Sequence, residues 1–106
     1  MEKYITETEK QTEIAGRYDV IVAGSGPSGF AAAVSAARNG AKVLIIEALS
    51  TIGGISTSGM MSHFTGRADS ALYREILDRA HAKNYFDCPD KITIDPELLS
   101  NTYLEM

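Results

Sequence analysis

A chain of 106 residues allows one domain at most, and its 44% hydrophobic and 23% charged residues are ordinary for a globular protein. A formal net charge of -4 and a pI near 5.0 argue against a nucleic-acid partner, because neutralising phosphates takes a basic surface. The one cysteine excludes an internal disulfide, and no metal site is expected without the several ligands that zinc requires.

Residues 1–17, MEKYITETEKQTEIAGR, mix charges and hold no apolar run of the kind a signal peptide needs. They read as a polar leader in which Tyr4, Ile5 and Ile14 either form a short edge strand or belong to a mobile terminus. The apolar stretch that follows, from Val20 to Ala37, is broken by Ser25, Pro27, Ser28 and three glycines and does not read as a membrane span. A cytoplasmic protein without a membrane partner is the expectation.

Residues 18–47 form the most informative stretch. Val20-Ile21-Val22-Ala23 is a short, β-branched run that predicts a buried parallel strand. Gly24-Ser25-Gly26-Pro27-Ser28-Gly29 then places three glycines at the spacing G-x-G-x-x-G, and Phe30 to Arg38 continues as an alanine-rich helix. The spacing assigns the glycines separate work: a sharp turn at Gly24, close approach of backbone to a pyrophosphate at Gly26, and close helix–strand packing at Gly29. Pro27 suits the first helical turn, where no N–H is needed, and the unpaired amides there favour an anion. Asn39-Gly40 ends the helix, and Val43-Leu44-Ile45-Ile46 predicts a second buried strand that closes on Glu47. Eighteen positions after Gly29, Glu47 stands where a dinucleotide-binding unit keeps the acid that holds a ribose hydroxyl pair. Glycine-rich turns are common, so a plain β-α-β unit is the competing reading; the order strand, turn, helix, strand and acid favours a dinucleotide site.

Past Glu47 and Ala48, the segment Gly53 to Gly59 carries no charge and joins glycines to Ser56, Thr57 and Ser58. It leaves the carboxyl end of the second strand, where open α/β folds bind ligands, so it predicts a loop whose backbone and hydroxyls face a polar ligand rather than a plain connector. Met60 and Met61 read as core filler, and His63 as a weak candidate for acid–base work because no partner for it is evident. Asp69 predicts the cap of a helix running to about Lys83, with Leu72, Ile76 and Ala80 along its core face, Leu77 beside them, and His81 at the surface. Phe86 to Asp90 reads as a turn-like link in which Cys88 has no redox or metal role, and Ile92-Thr93-Ile94 as a short extended piece. Asp95-Pro96-Glu97 opens a second helix through Leu98, Leu99 and Leu104 in which the chain is expected to end.

The segments DVIVAGSGPSGFAAAVSAARNGAKVLIIE and IGGISTSGM resemble the N-terminus of the two-glycine class of FAD-dependent oxidoreductases, and the leader and IDPELLSNTYLEM resemble the bacterial FAD-dependent oxidoreductase family in particular. That resemblance implies a Rossmann-like β-α-β unit with additional helices, forming an incomplete FAD-binding domain: leader 1–17, β-α-β 18–47, Gly-Gly loop and helices 48–106. It implies FAD as cofactor, held by Gly24, Ser25, Gly26, Pro27, Ser28 and Gly29 at the pyrophosphate, by Glu47 and Ala48 at the adenine-side ribose, and by Gly53, Gly54, Ser56, Thr57 and Ser58 towards the flavin. It further implies a small-molecule substrate handled by parts of the family's length that this sequence does not contain. The alternatives are a non-catalytic fragment or interaction module, with self-association possible, and an NAD(P)-binding protein; the Gly-Gly loop after Glu47 favours FAD over NAD(P).

Overall fold

The computed structural model describes residues 3–5, 7–65, 69–83 and 92–106, and the expected link at Phe86 to Asp90, with Cys88, lies outside the described residues. Strand β1 (Val20–Ala23) and strand β2 (Val43–Ile46) pair in parallel, Val20 against Val43 through Ala23 against Ile46, joined by helix α1 (Pro27–Arg38). Asp19 locks the entry to this pair by accepting the Lys42 N–H at 2.7 Å, and the Gly24 N–H extends the ladder to the Ile46 carbonyl at 2.7 Å. Helix α1 ends as predicted, with Gly40 left-handed at φ +91°.

Both strands were expected to be buried, yet only one face is covered. Val43 and Ile45 share a cavity wall with Ala33, Val34 and Ala37 of α1, whereas Ile21 and Ile46 on the other face are 59% and 55% exposed. The reason is that a lone crossover helix covers one face of a strand pair, and nothing among the described residues covers the second.

Helix α2 (Ala71–Lys83) and helix α3 (Pro96–Leu104) pack on each other and join α1 in one core of Phe30, Val34, Ile76, Ala80, Ile94, Leu99 and Tyr103. The Phe30 and Tyr103 rings stack with centroids 4.1 Å apart, and Arg38 of α1 bridges to Glu75 of α2 with two hydrogen bonds. Three expectations need correction. The α2 cap is Ser70, whose hydroxyl accepts the Tyr73 N–H at 3.1 Å, while Asp69 pairs with Arg74; a side chain caps best from directly before the first helical residue, which is Ser70. Helix α3 stops inside the chain at Leu104, after the cap that Asp95 gives to the Glu97 and Leu98 amides. Met60 and Met61 are 74% and 64% exposed and fill no core, because Met60, at φ +60°, sits where the loop turns outward.

Residues 3–5 and 7–18 form neither helix nor strand, and Tyr4, Ile5 and Ile14 are exposed, so the edge-strand expectation for the leader is not met. Ile92 to Ile94 is extended as predicted: Thr93 forms a single antiparallel bridge with His63, and Ile94 is buried. His81, expected at the surface, is half-buried on α2.

Candidate functional site

The turn between β1 and α1 is shaped by its glycines. Gly24 adopts φ +94°, a conformation that costs any other residue energy, and this aims the chain across the strand end. At Gly29 a Cβ would stand 2.1 Å from the Gly24 carbonyl oxygen and 3.3 Å from Val22, so only glycine lets the helix lie this close to the strand. At Gly26 a Cβ would meet nothing within 4 Å, and Gly26 has an ordinary extended backbone; what its lack of a side chain provides is open space in front of the helix. No side chain caps α1, and Pro27 occupies its first turn, so the amide groups of that turn keep their anion-binding capacity.

Ser25 joins three pieces of the chain. It is fully buried; its N–H and hydroxyl both donate to Oε2 of Glu47, at 2.8 and 2.5 Å, and its carbonyl accepts the Gly53 N–H at 2.9 Å. The other carboxylate oxygen of Glu47 accepts the Leu49 N–H at 2.9 Å. These bonds lower the Glu47 pKa to about 2, the Ser25 hydroxyl contributing most, followed by the Leu49 and Ser25 amides and, more weakly, Ala48. The side chain is therefore a fixed anion at neutral pH. It lines a cavity of about 240 Å³ with Ser25, Leu49, Ser50, Thr51 and Ile52.

Gly53 and Gly54, at φ +110° and +55°, fold the following loop back onto the first. A Cβ on Gly54 would come 3.0 Å from the Gly26 Cα, so the two glycine turns are in direct backbone contact. The hydroxyls behave differently from the expectation that they face a ligand: Ser56 and Thr57 are buried and donate to carbonyls of their own loop, Gly53 and Ile52, both at 2.7 Å. Ser58 is exposed. His63 lies beyond the loop with Nδ1 2.7 Å from the Thr93 hydroxyl. The tie that sequence reasoning missed is the Ser25 side chain; a hydroxyl inside the first glycine pair was its only signal.

A β-α-β unit with a glycine turn, an uncapped helix start and an ionised acid at the end of the second strand defines the dinucleotide-binding class. The model of the family described as FAD dependent oxidoreductase matches residues 19–106, and the chain belongs to that family. It is 44% identical over 78 residues to the NADH:fumarate oxidoreductase of Klebsiella pneumoniae (strain 342), covering 63% of this chain and 8% of that protein. It is 35% identical over 91 residues to the fumarate reductase (cytochrome) of Shewanella frigidimarina, 79% of this chain and 14% of that protein. Over 40 residues it is 55% identical to the soluble pyridine nucleotide transhydrogenase of Marinomonas sp. (strain MWYL1), 38% of this chain and 9% of that protein. The chain thus spans a seventh or less of the length of these relatives. No solved structure matches it significantly. Family and fold together identify a Rossmann-like unit from the FAD-binding portion of this family, with FAD as its cofactor. Among the described residues no helix is long and apolar enough to cross a membrane, and no group of acidic, histidine or cysteine side chains is placed to hold a metal.

Proposed function

We propose that this chain holds the ADP half of FAD. Gly24, Ser25, Gly26, Pro27, Ser28 and Gly29 form the pyrophosphate cradle, Glu47 accepts from the adenine-side ribose with Ala48 shaping the turn beneath it, and Gly53, Gly54 and Ser58 lie along the path towards the flavin. Ser56 and Thr57 serve that last stretch by holding its shape. In this reading 1–106 form the N-terminal part of one FAD-binding domain, with a leader at 1–17, the β-α-β unit at 18–47 and the Gly-Gly loop and helices at 48–106. Bound FAD would supply the redox chemistry; the residues here bind and orient it. A small-molecule substrate would be handled by residues other than these.

The observation that supports this most is the joining of an uncapped helix start, a carboxylate and a second glycine loop through one residue, Ser25. Open space before Gly26 suits a phosphate, and an anion fixed at Glu47 suits hydroxyl donors while repelling a phosphorylated ribose. The test is an FAD titration of the wild-type chain, Glu47→Ala and Gly26→Val. Losing a charged acceptor facing hydroxyls weakens binding about tenfold to a hundredfold, and a side chain placed where the pyrophosphate lies weakens it further. Equal FAD affinity in all three proteins would contradict the assignment.

A further inference from the structure

We propose that the Ser25 hydroxyl is the positioning device of the ribose site: by holding Oε2 of Glu47, it leaves Oε1 to accept from a ribose hydroxyl. This rests on the assignment of Glu47 to the ribose. A glutamate at a half-exposed strand end has three rotatable bonds and samples several rotamers unless something fixes it. Here Oε2 receives two donors from one buried residue, and Oε1 receives one from Leu49, with the Ala48 amide a weaker contributor to the carboxylate. Two strong donors fill Oε2, so a further donor is taken at Oε1.

The anchor itself cannot drift. Ser25 is 0% exposed, its carbonyl is held by Gly53, and the neighbouring Gly24 N–H is bonded to Ile46. An alanine at position 25 keeps the backbone donor and loses only the hydroxyl, and a glycine loses the whole side chain, so the hydroxyl is what serine adds over alanine. The Oγ is spent on Glu47, which leaves the pyrophosphate to backbone amides. The consequence is selectivity: the Ser25 hydroxyl acts on the ribose end of the ligand through Glu47, while the backbone of Ser25 stays part of the pyrophosphate turn.

Two nucleotides separate this role from a structural one. Dissociation constants for ADP and 2′,3′-dideoxy-ADP are measured with the full chain carrying wild-type sequence, Ser25→Ala, Ser25→Gly, Glu47→Ala or Ser25→Ala with Glu47→Ala. Both Ser25 variants should bind ADP about threefold to tenfold more weakly and lose clearly less affinity for the dideoxy nucleotide. The double variant should match Glu47→Ala, because without the carboxylate the hydroxyl has nothing to position. Equal losses on both nucleotides, or unchanged ADP affinity, would overturn the role of Ser25. Should Glu47→Ala bind ADP as wild type does, the ribose assignment itself fails. In the wild-type chain alone, the Ser25 hydroxyl proton should exchange slowly with water and give its own NMR signal, lost in Glu47→Ala. A rapidly exchanging proton there contradicts the fixed bond even if every Ser25 variant is unstable.

Discussion

Gly26 and Gly29 look alike in the motif and do different work. At Gly29 an added methyl meets the Gly24 carbonyl oxygen at 2.1 Å, whereas at Gly26 it meets nothing. Alanine inside a helix is favoured over glycine by about 1 kcal/mol, but overpacking against backbone costs about 1–3 kcal/mol or more, so the clash wins at Gly29. With a 2.1 Å clash against backbone the cost lies at the upper end of that range, so Gly29→Ala is expected to destabilise the chain by about 2 kcal/mol or more in urea unfolding, and Gly26→Ala, at a helix cap, by less than about 1 kcal/mol. Equal loss in the two variants would mean that the turn is not built as described. The close packing at Gly29 was legible from spacing alone, as was the place of Glu47 directly after β2. The role of Ser25 was not, because a motif fixes where glycine is needed and is silent about what fills the positions between. Nor was the inward turn of Ser56 and Thr57 legible: a hydroxyl in a loop reads as facing outward, and its choice of a carbonyl in its own loop depends on a fold that the local sequence does not encode.

Helices α2 and α3 brace α1 and share a cavity wall with Pro27 and Ser28 at its start. Tyr103 reaches from α3 to stack on Phe30 near the start of α1, and its hydroxyl lies 3.5 Å from that of Ser56 in the Gly-Gly loop. Burial pushes the Tyr103 phenol pKa up, with the Ser56 contact opposing it, so the ring stays neutral at physiological pH. The helices themselves were legible from apolar spacing, but the α2 cap was not, since Asp69 and Ser70 are adjacent and both are good caps. The structure decides between them. Ser70→Ala should cost about 0.5–2 kcal/mol in thermal or urea unfolding, against at most about 1 kcal/mol for Asp69→Ala, whose exposed pair with Arg74 is screened by water. The reverse ranking would return the cap to Asp69.

Among the described residues, one face of the strand pair is finished and one is open. The sequence shows strands apolar on both sides, which is the pattern of a sheet covered twice, and the structure covers one side. Ile21 and Ile46 stand exposed on adjacent strands in a sheet of two, so apolar surface and unpaired strand edges are both available to another chain. The 106-residue chain on its own should therefore associate, and Ile21→Lys or Ile46→Lys should shift its sedimentation towards the monomer. A wild-type chain that sediments as a monomer at every concentration would show that the open face is not adhesive.

Nucleotide binding by this same chain decides whether the turn between β1 and α1 is an ADP site. Amide NMR spectra recorded as ADP is added report every backbone N–H at once and register even weak binding. The largest shifts should fall on the amides of Ser25 to Phe30, with smaller ones at Glu47 to Leu49, while α2 from Leu77 to Lys83 stays unmoved. In Gly26→Val the shifts should vanish, and in Glu47→Ala they should need a higher ADP concentration. Shifts centred on α2 or α3, or none at any concentration, would contradict the assignment of the ADP half of FAD to this turn.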